Sequence, residues 1–88
     1  MHTRTAVVAS RVGLHARPAA LFARAAGATG LPVTVATAEK GPVDARSVLA
    51  LMTLGVVFGD EVVLRAGGDD APAALDGLVA LLETDHDA

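Results

Sequence analysis

Four short runs rich in β-branched residues alternate with three alanine- and leucine-rich stretches in the order βαββαβα. This order predicts a single α/β (α+β) domain, a two-layer sandwich with helices covering one face of a sheet. Two properties of the whole chain agree with it. The 88 residues are enough for one core and not for a second independent unit, so residues 1–88 read as one domain. Hydrophobic residues make up 52% but aromatics only 2%, so that core must be packed from small and aliphatic side chains.

The first strand is expected over Thr5-Ala6-Val7-Val8-Ala9, ending before the polar Ser10 and Arg11. Gly13-Leu14-His15-Ala16-Arg17-Pro18-Ala19 then leads into an alanine-rich helix from about Ala16 to Ala26. Pro18 fits only the first turn, where backbone N–H groups lack an intrahelical acceptor, so the helix starts near His15. Leu21, Phe22, Ala25 and Ala26 share one helical face and are expected in the core, with Arg17 and Arg24 away from its centre. Gly27 to Gly30 reverse the chain.

A second strand is expected over Val33 to Thr37, a hairpin turn over Ala38 to Gly41, and a short third strand over Val43 to Ala45. Pro42 cannot donate a ladder hydrogen bond, which places that strand at an edge. Ser47 is a natural N-cap for a short helix carrying Val48, Leu49, Leu51 and Met52 and ended by Gly55. The fourth strand is Val62 to Ala66, followed by a Gly67-Gly68 turn. Asp69 or Asp70 is expected to cap the last helix, with Pro72 in its first turn, and Leu75, Leu78, Val79 and Leu82 as the buried stripe. Gly77 costs about 1 kcal/mol inside that helix and is expected to serve close packing. From Thr84 to Ala88 the tail is expected to fray.

His15 is the residue with chemistry to explain. It stands over the free N–H groups and positive dipole end of a helix, a place suited to phosphate, with the planar cation of Arg17 close behind. An imidazole nitrogen with a free lone pair can attack phosphorus. Read alone, His15 is an ordinary helix-start residue and Arg17 a solvated charge. The run Gly13-Leu14-His15-Ala16-Arg17-Pro18-Ala19 decides otherwise, because it resembles the active-site signature of the HPr family, phosphocarriers of the bacterial phosphoenolpyruvate:sugar phosphotransferase system. A second stretch, Ala45 to Gly55, resembles the family's segment around a regulatory serine, here Ser47. Gly27, where many relatives carry lysine, and a longer hairpin at Ala38 to Pro42 depart from the family pattern.

The resemblance implies three helices on one face of a four-stranded antiparallel sheet with strand order one, four, two, three. It implies that His15, at its Nδ1, accepts a phosphoryl group from phosphorylated enzyme I and hands it to a sugar-specific IIA protein or domain, a carrier's task and not an enzyme's. Ala16 and Arg17 would hold the phosphate, with no cofactor. Ser47 would be a regulatory phosphorylation site, serviced by a serine kinase/phosphorylase and read by a transcriptional regulator. The alternatives are a regulatory module of the same family acting through Ser47 alone, which His15 argues against, a nitrogen-branch phosphocarrier, and a small ligand- or RNA-binding domain.

Charge and composition bear on partners. From Met1 to Arg46 there are six basic residues and two acids, whereas Asp69 to Ala88 has six acids and no Lys or Arg. A basic side around His15 would steer anionic partners to it. Arg24 and Arg46, with Ala20, Val48, Leu49 and Met52, form the expected docking surface, since a two-turn helix cannot bury its whole apolar set. A net charge of −3 and the lack of Tyr and Trp argue against nucleic acid. The absence of cysteine fits a reducing compartment, and Met1-His2-Thr3-Arg4 is not followed by the long apolar stretch of a signal peptide. A cytoplasmic monomer is therefore expected, with no membrane insertion. His2 and His86 read as solvated residues, and no spacing supports a metal site.

Overall fold

The computed structural model describes residues 1–85; His86, expected to be solvated, lies outside them. The elements are β1 (His2–Val7), α1 (Ala16–Ala28), β2 (Thr34–Ala36), β3 (Val43–Asp44), α2 (Val48–Thr53), β4 (Glu61–Ala66) and α3 (Ala71–Leu82), the expected order. The strands form one antiparallel sheet in the order β1-β4-β2-β3. β3 is at the edge, where Pro42 costs no ladder bond.

One face of the sheet is apolar and one is not. Ala6 of β1, Val35 of β2 and Val62, Leu64 and Ala66 of β4 are buried, together with Phe22 of α1, Leu51 of α2 and Leu75 and Leu78 of α3. The other face shows Thr3, Thr5, Glu61 and Arg65 to solvent. All three helices therefore cover the same side, as period-two alternation along β4 requires.

Several sequence expectations are corrected. β1 begins at His2 and stops at Val7, because its register is set by pairing with β4 from His2↔Ala66 to Val7↔Glu61. Ala9 instead gives its N–H to Leu82 O at 2.9 Å. On α1 the fully buried face is Ala19, Phe22, Ala23 and Ala26, with Leu21 and Ala25 only half-buried. Small side chains let the helix approach closely, so alanines take the centre that leucine was expected to hold. Asp70 occupies the N-cap position of α3 but makes no side-chain cap, its backbone being already helical at φ −87, ψ −4, and Asp69 is likewise no cap. Pro72 does sit in that first turn. A Cβ at Gly77 would meet nothing within 4 Å, so close packing does not account for that glycine. Thr84 and Asp85 are not frayed: Thr84 Oγ1 donates to Ala80 O at 2.8 Å and Asp85 pairs with Arg11 at 3.7 Å.

Candidate functional site

The approach to His15 is built on a close contact between two loops. Gly13 has φ +69, and a Cβ there would run into the carbonyl oxygen of Val56 and lie 2.8 Å from Val57 Cα. Only glycine fits both the dihedral and the space. Leu14 then donates its N–H to Val56 O at 3.2 Å and buries its side chain, fixing the residue before the histidine. The 56–60 turn is held in turn by Val57 N–H to Asp60 Oδ2 at 3.0 Å and Gly59 N–H to Val8 O at 2.9 Å.

His15 follows in extended conformation, φ −133 and ψ 151, as the N-cap of α1. Its side chain makes no cap hydrogen bond and is exposed. The next residue, Ala16, has φ +47, and it is the one non-glycine residue with positive φ among the described residues. An alanine there stores on the order of 1–2 kcal/mol of backbone strain. Such strain collects where an arrangement serves function and not stability. Regular helix thus starts at Arg17, with Pro18 in its first turn, and the N–H groups of Ala16 and Arg17 belong to the set that a helix cannot satisfy internally.

The basic residues divide into two groups. Arg17 and Arg24 are exposed on α1 and have no ion pair among the described residues. Arg46 is engaged: its Nε and Nη2 donate to Oδ1 and Oδ2 of Asp44, each at 3.1 Å, and its backbone N–H donates to Oδ1 at 2.9 Å. Hydrogen bonding from the Arg46 side chain, then from its backbone N–H, holds the Asp44 carboxyl below its ordinary range. Arg4 is similarly tied to Asp76 at 2.9 Å.

On α2 Ser47 Oγ accepts the Ala50 N–H at 3.1 Å, the capping role read from sequence. The apolar set divides as a short helix dictates. Leu51 is fully buried and Met52 packs half-buried against the core, while Leu49 is 74% exposed and Val48 is 36% exposed. Ala20 is exposed on α1. α1 and α2, which carry these residues, pack against each other.

Sequence reasoning missed three features: the positive φ of Ala16, the apposition of Gly13 with the 56–57 loop, and exposed apolar side chains at Val12, Val57 and Phe58. Gly13 carried the one available signal, as a glycine two residues before the histidine. An open depression of about 430 Å³ lined by Thr37, Glu39, Lys40, Leu54, Asp60 and Glu61 includes none of the site residues. His15 is presented on the surface and not enclosed, which suits exchange with another protein better than capture of a small substrate. No group of three or more metal-ligating side chains occurs among the described residues. No helix among them is long and apolar enough to cross a membrane.

The comparisons with known proteins point one way. The family described as "PTS HPr component phosphorylation site" matches residues 2–84. The chain is 53% identical over 70 residues to the phosphocarrier protein HPr of Streptomyces coelicolor, covering 80% of this chain and 75% of that protein. It is 36% identical over 84 residues to the phosphocarrier protein NPr of Shewanella violacea, covering 96% of this chain and 91% of that one. Among solved structures, HPr-C-His from Thermoanaerobacter tengcongensis superposes with a TM-score of 0.86 at 41% identity, covering 94% of this chain and 92% of that one.

Proposed function

We propose that this chain, which belongs to the HPr family of phosphotransferase-system phosphocarriers, carries its phosphoryl group on His15. One observation carries the assignment: the imidazole stands at the N-cap of α1 without capping it, next to the positive φ of Ala16 and to Arg17, which has no ion pair among the described residues. The helix start is thereby left open for an anion.

In the forward step the neutral His15 ring nitrogen attacks phosphorus of phosphorylated enzyme I. The new N–P bond forms as the bond from phosphorus to the donor breaks, its electron pair staying with the donor. Backbone N–H groups of Ala16 and Arg17 and the Arg17 guanidinium receive the phosphoryl oxygens. Transfer to a IIA protein or domain runs the same exchange outward, so nothing is consumed and the chain acts as a carrier. Arg24, Arg46, Ala20, Val48, Leu49 and Met52 flank the path of these partners, and cytoplasmic phosphoryl traffic is the setting the reading implies.

Incubation with enzyme I and labelled phosphoenolpyruvate should label the parent with an acid-labile, base-stable adduct, and His15→Ala should abolish the label while the fold persists. Undiminished labelling of His15→Ala would overturn the assignment. Ser47 is a regulatory site under the same reading. A phosphate there adds close to two negative charges beside Arg46, competing with Asp44 for its guanidinium and repelling acidic partner groups. Ser47→Asp should therefore label more slowly than Ser47→Ala, and matched rates would leave Ser47 only its capping role.

A further inference from the structure

Residues 9–11, which follow β1, and the end of α3 are joined in matching order. Ala9 N–H donates to Leu82 O at 2.9 Å, and the Arg11 guanidinium lies 3.7 Å from the Asp85 carboxylate. Between these two direct contacts stand Ser10 on one segment and Thr84 on the other. Ser10 is 6% exposed, and its hydroxyl is the one buried side-chain polar atom without a hydrogen-bond partner among the described residues. A small cavity lies here, with both Ser10 and Thr84 in its wall. We propose that this cavity is a binding site for a single water molecule, which accepts the Ser10 hydroxyl proton, donates to Thr84 Oγ1 and so closes the middle of the seam.

The size and chemistry of the wall decide the ligand. A buried hydroxyl without a partner has lost its hydration for nothing in return, and native folds leave few of them. The cavity volume is about 20 Å³, above the roughly 10–15 Å³ that one water requires and too small for a hydrated ion. Apart from the two hydroxyl-bearing residues the wall is apolar, with Val8, Leu14, Phe22 and Leu82 among its members, so no side-chain charge is there to hold an ion. Thr84 Oγ1 spends its proton on Ala80 O at 2.8 Å and keeps lone pairs that can only accept. Ser10 Oγ has its proton free to give. A water matches this pair as one acceptor and one donor, and two hydrogen bonds are the minimum that retains a buried water. Because Ser10 is buried while Thr84 is exposed, the cavity meets solvent on the Thr84 side, which supplies the entry path.

The site does not depend on the phosphocarrier reading, but it lies at the base of the segment that presents His15. Ser10 O accepts the Gly13 N–H at 3.0 Å, closing the turn that leads into Leu14 and His15. With the water in place, the residue that closes this turn is fastened to α3 through its side chain as well. No direct hydrogen bond joins Ser10 Oγ to Thr84. A water bridge is enthalpically nearly as good as a direct bond, so it satisfies both hydroxyls without drawing the two segments closer than their apolar neighbours allow.

The test is a high-resolution crystal structure of the full chain, together with thermal melting of Ser10→Ala, Thr84→Ser, Thr84→Val and the double variant Ser10→Ala/Thr84→Val. The density should show one water within about 3.2 Å of both Ser10 Oγ and Thr84 Oγ1. Ser10→Ala and Thr84→Val should each lower the melting temperature by about 3–6 °C, and Thr84→Ser, which keeps the acceptor, should melt close to the parent. The double variant should melt little below the lower of the two singles, because both lose the same water. Ser10→Ala melting at or above the parent would mean that the hydroxyl had gained no partner, and it overturns the proposal, as do losses that add in full. Density that leaves the cavity empty, or that turns the Ser10 hydroxyl to a protein acceptor, overturns it as well. Should Ser10→Ala fail to fold, the crystal structure of the parent still decides.

Discussion

Two helices of this chain start at side chains of the kind that carries phosphate, and they start in opposite ways. At α2, Ser47 turns its hydroxyl to the Ala50 N–H, and the arginine before it is held by Asp44. At α1, His15 occupies the same N-cap position with the same extended backbone, yet its ring caps nothing and an alanine at φ +47 follows. Capping and anion binding compete for the same orphan N–H donors. A helix start closed by its own side chain is satisfied and chemically quiet. One left open is strained and receptive.

The contrast can be broken most sharply beneath the open corner. Gly13→Ala places a methyl group against Val56 O and puts alanine at φ +69, so it should cost roughly 3 kcal/mol in urea unfolding. A loss under 1 kcal/mol would mean that the two loops are not locked together. Next, Ser47→Ala should cost about 1 kcal/mol through the lost cap, whereas His15→Ala should move stability by less than about 0.5 kcal/mol, since that ring supports no part of the fold. Equal losses would erase the distinction between the two helix starts. Ala16→Gly sharpens it further: relief of the positive φ outweighs the entropy of glycine, and the variant should gain about 0.5 kcal/mol.

The smallest effect is on acid stability at the closed corner. The folded Asp44 carboxyl lies below its unfolded value, so its pairing with Arg46 stabilises the fold above the ordinary carboxylate range and is lost as pH falls through the folded value. Asp44→Asn should melt slightly below the parent at neutral pH and converge with it in acid, by a margin small because both side chains are about half exposed. A gap that widens in acid would contradict the pairing.

Element order was legible because glycine and proline punctuate it and β-branched residues mark each strand. His2 to Arg4 were not legible as strand, since their polar side chains belong to β1 only through pairing with β4, which no local pattern reports. The buried face of α1 was misplaced for a related reason. Leucine outweighs alanine in hydropathy, while the closeness of helix to sheet selects Ala19 and Ala23. His15, Arg17 and Ser47 could be picked out because each lies in a contiguous motif. The Gly13–Val57 apposition is a contact between segments distant along the chain and was invisible until the loops met, and no local pattern reports the φ of Ala16 or the exposure of Phe58.

The strand order has a consequence for how this fold is reached. β1 pairs with β4 alone, and β1 and the residues after it are tied to the end of α3 by Ala9 N–H to Leu82 O and Val7 N–H to Glu83 Oε2. β1 thus waits for β4, far along the chain, and then for the end of α3 before its backbone is fully paired. Contacts of such long sequence separation slow folding, because loop closure is unfavourable until they form. During translation β1 therefore stays unpaired, with Ala6 uncovered, until β4 is available, an aggregation-prone interval, and the contacts of Val7 and Ala9 with α3 close only when Leu82 and Glu83 have followed.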